Sequence, residues 1–355
     1  MANTPNWKKI IEKLSSSKDL ERFEATWALE QIMSGNSEDG VVAAFLVALR
    51  HKGESVDEIS GLVDAMLDNS LKLEIPNDAL DIVGTGGDLI GTVNVSTMAS
   101  IVAAASGVPV LKHGSRSASG KTGSAEMLEA LGIRLDLTSA EVAQVFEKAG
   151  ITFFFAPVFH PALAKLAPVR KALAVPTTFN FLGPLANPVQ PIATALGVAN
   201  AKIAPLMAAE MASRGRNALI FRGRDGLDEL STTEINDIWL VSGGEVSLSS
   251  LDAAKLGLKP SKLEYLIGGD AKENAQAAVD LFSGKTNGNL GWVKDIVLLN
   301  AAGGVLSYQL AKNPSLANAD LEGQFAGSLA LVTETLESGA AETQLSQWVD
   351  ASQAI

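Results

Sequence analysis

Apolar residues in the first 72 positions recur every three or four residues, a spacing that predicts amphipathic helices. Phe23, Trp27, Ile32 and Met33 are expected near one face of the second of these helices. Ser37 should cap the start of the third, and Ser55-Val-Asp-Glu58 is a capping box that should open the fourth. Helices this short persist only when they pack on one another or on a partner. The pattern therefore predicts a small helical domain or a subunit-contact surface.

From about residue 80 the pattern changes to short apolar runs that alternate with helical segments. Strands are expected at Leu80–Val83, Val108–Leu111, Ile151–Ala156, Ala193–Val198, Ala218–Arg222 and Asp237–Val241. Helices are expected at 94–106, 123–131, 138–149, Pro161–Leu173 and 200–213. This alternation predicts an α/β domain with a mostly parallel central sheet flanked by helices, in which ligands bind beyond the carboxyl ends of the strands.

Two domains follow from the change of pattern, and 355 residues are enough for both. Residues 1–75, joined by about 165–190, should form the helical domain. Residues 76–164 and 191–355 should form the α/β domain.

Composition narrows the classes of function. The chain is 47% hydrophobic and 19% charged, as expected of a globular protein with a large core, and its net charge of −12 argues against a nucleic-acid partner. Cysteine is absent, which excludes disulfides and thiolate metal sites. The first residues are polar, and the apolar runs are too short to span a bilayer. We expect no membrane partner and a cytoplasmic location.

A glycine-rich turn lies between the first predicted strand and a helix start near Asn94, in the order Gly84-Thr-Gly-Gly-Asp-Leu89. Glycines let backbone N–H groups approach a ligand, and a helix N-terminus offers unpaired donors, so this order favours phosphate binding. The turn lacks the Lys-Ser/Thr ending of a Walker A loop, and Leu89 takes the place of the last glycine of G-x-G-x-x-G. A tight turn without a ligand is the alternative interpretation.

A second glycine- and hydroxyl-rich segment, Lys112–Ser124, follows the next predicted strand. Its cations and hydroxyls are suited to phosphate oxygens. A solvated surface loop is the alternative. Because both segments follow neighbouring strands, they should lie side by side at one edge of the sheet, which favours a shared phosphate site.

Two further features bear charge. Asp228 and Glu229, with Asp225 nearby, could hold Mg²⁺ beside a phosphate ligand, although carboxylates in such a turn are usually only solvated. Arg170 lies on a predicted helix and could grip a carboxylate with two parallel hydrogen bonds. A surface arginine with a buried stem is the alternative.

Taken together, these segments resemble the anthranilate phosphoribosyltransferase family along nearly the whole chain. The matching motifs are Gly84–Asp88, Asn94 with Ser96 and Thr97, Lys112–Glu126, Val169–Lys171 before Asn180–Pro188, and Asp228-Glu229. Weaker matches are Lys52–Ser55, Gly268–Asn274 and Leu299–Gly303. The resemblance implies transfer of a phosphoribosyl group from phosphoribosyl pyrophosphate to anthranilate, with Mg²⁺ as cofactor. It also implies a homodimer formed through the helical domain and possible contact with anthranilate synthase.

The resemblance assigns roles to individual residues, with Lys112 and Arg170 acting in catalysis. The donor's phosphates and ribose would be held by Gly84, Thr85, Gly87, Asp88, Thr92, Asn94, Ser96, Thr97, Lys112 and Ser119. Asp228, Glu229 and Ser96 would bind Mg²⁺. Anthranilate would lie against Gly84, His113, Ser115 and Arg170, with Arg170 as its carboxylate partner.

Two other functions remain open from the sequence. Pyrimidine nucleoside phosphorylases share the glycine loop and the helical domain, but their second loop is built around Lys-x-Ser-Gly-Arg, whereas this chain has Lys112-His-Gly-Ser-Arg116. A non-catalytic relative that binds other macromolecules is the other alternative. The intact loops and the Asp228-Glu229 pair argue against it.

The chain departs from the family pattern at Ser115, where Asn is usual, at Gly120, where Ser is frequent, and at Glu126, where Asp is usual. A serine side chain is shorter than asparagine, so a contact with anthranilate should be weakened. We predict that Ser115→Asn lowers the KM for anthranilate by about two- to tenfold, the worth of one hydrogen bond. Steady-state kinetics at saturating donor measures the KM for anthranilate, and an unchanged or higher value would contradict the prediction.

Overall fold

The computed structural model describes residues 4–117 and 121–355 and divides into two compact units. Unit 1 comprises Met1–Leu71 and Ala156–Pro188, and unit 2 comprises Lys72–Phe155 and Val189–Ile355. Residues 156–164, expected in the α/β domain, thus belong to unit 1. The reason is local: the third strand ends at Phe155, and the backbone N–H of Leu71 donates to the carbonyl of Phe159 (2.9 Å), which ties this stretch to the first helices.

Unit 1 is built from helices. They are α1 (Trp7–Ser15), α2 (Arg22–Met33), α3 (Asp39–Lys52) and α4 (Val56–Asp68) in its first segment, and α8 (Ala156–Phe159) and α9 (Ala167–Leu173) in its second. Short 3-10 helices at Pro161–Leu166, Thr178–Asn180 and Gly183–Ala186 complete it. The single helix expected over 161–173 is therefore a 3-10 turn followed by an α-helix.

A buried carboxylate joins three parts of unit 1. Ser55 and Glu58 form the expected capping box at the start of α4. Glu58 is fully buried, accepts from the backbone N–H of Leu20 (2.9 Å) and pairs with Lys52 (2.8 Å). Because a buried charge needs a partner, the pair fixes how α3 meets α4.

Two details of the expected helices are wrong. Phe23 is 48% exposed and does not lie on the buried face of α2, which is formed instead by Ala25, Ala28, Leu29 and Ile32. The third helix begins after Glu38, not after Ser37. The hydroxyl of Ser37 accepts a hydrogen bond from the indole N–H of Trp7 (3.2 Å) instead of capping the helix.

Unit 2 contains a seven-stranded sheet within the described residues, in the order β3-β2-β1-β4-β5-β6-β7. The strands are β1 (Leu80–Gly84), β2 (Val110–Gly114), β3 (Ile151–Phe155), β4 (Ala193–Gly197), β5 (Asn217–Gly223), β6 (Asn236–Ser242) and β7 (Glu245–Leu251). β1 to β5 pair in parallel, and β6 and β7 are antiparallel. The mostly parallel sheet is confirmed. β7 was not expected, because its residues are almost all exposed and show no buried alternation.

Helices flank the sheet. They are α5 (Val95–Ala105), α6 (Ser124–Ala130), α7 (Ser139–Ala149), α10 (Ala204–Ser213), α11 (Ala271–Phe282), α12 (Leu290–Lys312), α13 (Leu321–Glu337) and α14 (Ala340–Gln353). α12 packs on β1, β4 and β5, and α10 packs on β5, β6 and β7. By length and composition α12 could cross a membrane, but most of it is buried within unit 2, as in the core helix of a globular domain.

The close approach of α2 and α4 generates a stability prediction. A Cβ atom added at Gly61 would lie 2.2 Å from the carbonyl oxygen of Arg22 and 2.9 Å from Cβ of Ala25. Gly61→Ala should therefore push the helices apart and destabilise the protein by about 1–3 kcal/mol, seen as a lower Tm in thermal unfolding.

Gly40 is the matched control, since it also lies in a helix but a Cβ there would meet nothing within 4 Å. Gly40→Ala should be neutral or stabilising by about 0.5–1 kcal/mol. Equal effects of the two substitutions would contradict the packing account.

Candidate functional site

The first glycine loop, residues 84–93, leaves the carboxyl end of β1. β1 lies between β2 and β4, so the direction in which strands are added reverses at this point of the sheet. Gly84 at the end of β1 is in register with Gly197 at the end of β4. A crevice outside the carboxyl ends of strands at such a reversal is where open α/β sheets bind ligands.

Gly84 and Gly197 make room for Asp228. A Cβ atom at Gly84 would lie 2.4 Å from Oδ2 of Asp228, and one at Gly197 would lie 1.7 Å from its carbonyl oxygen. Gly87 is different, since its φ of +83° is a backbone conformation that other residues rarely adopt. The glycines of this region thus serve both close approach and turn geometry.

Asp228 and Glu229, here called the acidic pair, hold the first glycine loop and the start of α5, respectively. The backbone N–H of Gly86 donates to Oδ2 of Asp228 (2.6 Å), and that of Ser96 donates to Oε1 of Glu229 (3.2 Å). Each acid is 8% exposed. The acidic pair therefore orders the loop and the start of α5 as well as carrying charge.

Asn300 of α12 fixes the segment that carries the acidic pair. It is fully buried, accepts from the backbone N–H of Leu230 (2.8 Å) and donates to the carbonyl of the same residue (2.9 Å). The sequence pointed to Leu299–Gly303 only as a family match. An asparagine inside an apolar helix was the signal that could have identified its role.

Burial and mutual repulsion raise the pKa values of the acids. Burial, and then the charge of Asp88, raises the pKa of Asp228 to about 7. Burial and the charge of Asp228 raise the pKa of Glu229 well above its usual range. The pKa of Asp88 is also raised, chiefly by burial. Such a cluster favours a bound cation, because a cation stabilises the ionised forms that burial disfavours.

The donor atoms present fit Mg²⁺. The described residues contain no group of three or more acids and histidines arranged to hold a metal. Mg²⁺, however, is usually bound by one or two carboxylates, with water and substrate phosphates completing its shell. The acidic pair and the hydroxyl of Ser96 supply hard oxygen atoms of this kind.

Asp225, considered with the acidic pair from the sequence, has a structural role. Its carboxylate accepts hydrogen bonds from the hydroxyls of Ser231 (2.5 Å) and Thr233, and from the backbone N–H of Leu227 (3.1 Å). It braces the turn that precedes β6.

Lys112 reaches from β2 to β1 and the start of α5, the two elements that the first glycine loop connects. It is 1% exposed, and its Nζ donates to the carbonyl of Ile82 (2.6 Å) and lies 3.5 Å from the hydroxyl oxygen of Ser96. Burial lowers the pKa of Lys112, while the charges of Asp81 and Glu229 oppose that shift. Sequence reasoning missed Asp81, although a carboxylate within an apolar strand was a visible signal.

His113 is also buried at the end of β2. Its side chain is 2% exposed, and its backbone N–H donates to Oδ1 of Asp81 (3.2 Å). Asp81 thus connects β1 with the end of β2, from which the second glycine loop, residues 115–123, begins.

The second glycine loop is held at its described ends by Glu126. The carboxylate of Glu126 accepts from the backbone N–H groups of Ser117 (3.3 Å) and Gly123 (3.0 Å). Ser115 is exposed, and its carbonyl accepts from the hydroxyl of Ser124 (3.2 Å). Ser119 and Gly120 lie outside the described residues, so the expectations for them stay predictions.

The remaining candidates of the first glycine loop have defined partners. The hydroxyl of Thr85 accepts from the N–H of Ala199 (3.2 Å), and Oδ1 of Asp88 accepts from the N–H of Ile90 (3.2 Å). Thr92 forms a single antiparallel bridge with Ile267. Two further candidates lie at the helix start: Thr97 is fully buried in α5, and Asn94 precedes that helix.

Arg170 belongs to unit 1, on α9. Its guanidinium donates to Oδ1 of Asn180 (3.2 Å), which also accepts from the backbone N–H of Thr177 (2.9 Å). Partial burial lowers the pKa of Arg170. The guanidinium of Arg170 is thus oriented by the side-chain amide of Asn180. Among the described residues it pairs with no acidic side chain.

Comparison with known families and proteins covers both units. Residues 76–342 match the model of the glycosyl transferase family α/β domain, and residues 8–70 match that of its helical bundle domain. The anthranilate phosphoribosyltransferase of Leifsonia xyli is 48% identical over 351 residues, 99% of each chain. That of an Arthrobacter species is 47% identical over 97% of this chain and 95% of its own.

The chain belongs to the anthranilate phosphoribosyltransferase family. The crystal structure of the Thermus thermophilus family member is 38% identical and superposes with a TM-score of 0.87 over 97% of this chain and 99% of its own. The Saccharomyces cerevisiae enzyme in complex with PRPP and Mg is 28% identical, with a TM-score of 0.86 over 98% of each chain.

Family membership confirms the expected fold class and enzyme class. The chain is a glycosyltransferase-type enzyme with an α/β domain and a helical bundle domain. Eight relatives at 42–48% identity carry the anthranilate phosphoribosyltransferase name, which argues against the nucleoside phosphorylase and the non-catalytic alternatives.

The raised pKa of Asp228 generates a prediction on stability. Its ordinary value is 3.8 and its folded value about 7, so the folded protein holds a proton that the unfolded chain releases between these values. The contribution of the Asp228 carboxyl group to the free energy of unfolding is therefore fully present below pH 3.8 and is lost as pH rises to about 7. Asp228→Asn, which keeps an acceptor for Gly86, should raise the Tm of the Mg²⁺-free protein more at pH 8 than at pH 5. Thermal unfolding at both pH values measures this, and a difference independent of pH would contradict the assignment.

Proposed function

We propose that this chain transfers the 5-phosphoribosyl group of phosphoribosyl pyrophosphate to the amine of anthranilate, releasing pyrophosphate, in tryptophan biosynthesis. The observation that carries the proposal is the full-length match to enzymes of that name, with the glycine loops and the acidic pair retained at the strand ends. Solved structures of the yeast relative contain PRPP with Mg in one case and 4-fluoroanthranilate in another.

The donor side of the proposed site is the first glycine loop with the start of α5. Backbone N–H groups of the loop and of the helix start are suited to phosphate oxygens. The residues proposed to hold the donor are Gly84, Thr85, Gly87, Asp88, Thr92, Asn94, Ser96, Thr97, Lys112 and Ser119. Lys112 lies beside Ser96 at the start of α5, and its charge would offset that of the pyrophosphate.

The acidic pair, with Ser96, would hold Mg²⁺. When bound there, the ion offsets the negative charge that gathers on the departing pyrophosphate. Asp228 and Glu229 keep their carboxyl groups oriented through the N–H groups of Gly86 and Ser96. The same two hydrogen bonds therefore position both the first glycine loop and the proposed ion site.

The acceptor side would use Arg170 for the carboxylate of anthranilate, with Gly84, His113 and Ser115 lining the ring. Arginine suits this role because its planar guanidinium pairs with a carboxylate through two hydrogen bonds. The bond that Arg170 already makes to Asn180 restricts its rotation, which lowers the entropy cost of binding.

The reaction breaks the bond between C1 of the ribose and the pyrophosphate oxygen, and the electron pair leaves with pyrophosphate. The amine nitrogen of anthranilate forms the new bond to C1 and loses one proton, which the released pyrophosphate or solvent water takes up. Negative charge grows on the leaving group, so oriented N–H groups and Lys112 stabilise the transition state. An aromatic amine is already nucleophilic, which makes its position more important than a general base.

Assembly and location follow from the same family. We propose a homodimer formed through the helical unit and a cytoplasmic location, with no membrane or nucleic-acid partner. We also propose contact with anthranilate synthase, which co-purification of the two proteins tests.

The function is tested by mixing the protein with Mg²⁺, phosphoribosyl pyrophosphate and anthranilate and following the loss of anthranilate fluorescence. The same assay tests Arg170. Arg170→Gln should raise the KM for anthranilate about 10- to 100-fold, because a hydrogen bond between charged groups is lost. The KM for the donor should change less than about twofold, within ordinary measurement scatter for an uninvolved group.

Lys171→Ala is the matched control, since Lys171 is the exposed neighbour on α9. It should leave both KM values unchanged. No fluorescence loss with folded wild-type protein would reject the function. A normal KM for anthranilate in Arg170→Gln would reject only the role of Arg170.

A further inference from the structure

A segment distant in sequence lines the first glycine loop. The backbone N–H of Gly268 donates to the carbonyl of Gly91 (2.9 Å), and that of Val93 donates to the carbonyl of Leu266 (2.9 Å). With the bridge at Thr92, these bonds form a short antiparallel ladder. We call residues 266–274 the brace segment; it ends in the first turn of α11.

The brace segment closes a ring of hydrogen bonds that includes both glycine loops. The Nδ2 of Asn274 donates to Oδ1 of Asn94 (2.8 Å), and the Nδ2 of Asn94 donates to the carbonyl of Thr122 (3.1 Å). The hydroxyl of Thr122 donates to the carbonyl of Gly269 (3.1 Å), whose N–H donates to Oδ1 of Asn274 (2.8 Å). Four bonds thus connect three segments of the chain.

The ring leaves no choice of orientation for its two amide side chains. The N–H of Gly269 can only donate, so Asn274 must turn its oxygen to Gly269 and its nitrogen to Asn94. The carbonyl of Thr122 can only accept, so Asn94 must turn its nitrogen to Thr122. The partners at Gly269 and at Thr122 therefore require the same orientation of the two amides. Asn94 uses one of its two amide N–H bonds in the ring.

Asn274 is not needed to cap α11. That role belongs to Asp270, whose Oδ1 accepts from the N–H groups of Lys272 (2.9 Å) and Glu273 (2.9 Å). Asn274 is 2% exposed, and a Cβ atom at Gly268 would lie 2.8 Å from its Oδ1. The backbone at Gly268 therefore packs against the Asn274 amide, which is directed to the two glycine loops.

We propose that Asn274 is a positioning residue for the phosphoribosyl donor: through the ring it sets the amide of Asn94 and the Thr122 end of the second glycine loop. The inference rests on the proposed function, because Asn94 is there a donor-binding residue. Preset groups bind with less loss of conformational entropy than mobile ones. The brace segment thus presets both loops before the donor arrives.

The test compares Asn274→Ala with wild type in calorimetric titration of phosphoribosyl pyrophosphate in the presence of Mg²⁺. The Kd should rise about tenfold, the equivalent of one to two lost hydrogen bonds. The KM for anthranilate should not change, because the ring contains no acceptor-side residue.

Gln344→Ala is the matched control for loss of a buried amide. The Nε2 of Gln344 donates to the carbonyl of Ala149 (2.7 Å) at 9% exposure, away from both loops. It should lower the Tm as Asn274→Ala does and leave the donor Kd unchanged. Thr122→Val, which breaks the ring elsewhere, should weaken donor binding, and adding it to Asn274→Ala should cost less than the sum of the two effects.

Hydrogen exchange without substrate separates this inference from the proposed function. Asn274→Ala should speed amide exchange at residues 91–96 and 121–123, whereas Gln344→Ala should not. If wild type binds no donor, the proposed function fails and exchange alone decides the role of the ring. Unchanged exchange at these residues, or a donor Kd within twofold of wild type in Asn274→Ala, would overturn the inference.

Discussion

The close packing of Asp228 against the ends of β1 and β4, its carboxylate against Gly84 and its backbone carbonyl against Gly197, is the constraint on which the candidate site depends. Gly84 and Gly197 carry no side chains there, and the space that a Cβ would fill is taken by atoms of Asp228. The same carboxylate orders the first glycine loop through Gly86, and Glu229 orders the start of α5 through Ser96. Loop, helix start and acidic pair are therefore one unit whose parts are not placed independently.

The charges of this unit are poorly solvated in the free protein. Asp228 and Glu229 are buried, Asp88 near them is half-buried, and the pKa values of all three are raised. Lys112 is a buried cation held between β1 and the start of α5. Repulsion of this kind lowers stability and is relieved when a cation and its phosphate ligand bind. We infer that it is the physical reason for the proposed reaction at this edge of the sheet, because negative charge builds on pyrophosphate during that reaction.

Local signals in the sequence were sufficient for part of this account. The capping box at Ser55 and the turn at Gly84–Gly87 follow from short-range chemistry, and the parallel strands follow from their apolar runs. Three features depend on contacts between distant residues: the burial of Lys112, the anchoring of Leu230 by Asn300, and the bond between Asn94 and Asn274. Pattern reasoning has no access to such contacts, and it also missed β7, whose exposed face shows no alternation.

We infer that the acidic pair binds a cation together with the donor. The release of protons on binding tests this inference most directly. Binding of phosphoribosyl pyrophosphate with Mg²⁺ near pH 7 should ionise carboxyl groups that hold protons in the free protein. Calorimetric titration in two buffers of different ionisation enthalpy measures the protons released. We predict release in wild type and a smaller release in Asp228→Asn, with binding greatly weakened when Mg²⁺ is removed. Tight donor binding without Mg²⁺, or binding without proton release, would contradict the account.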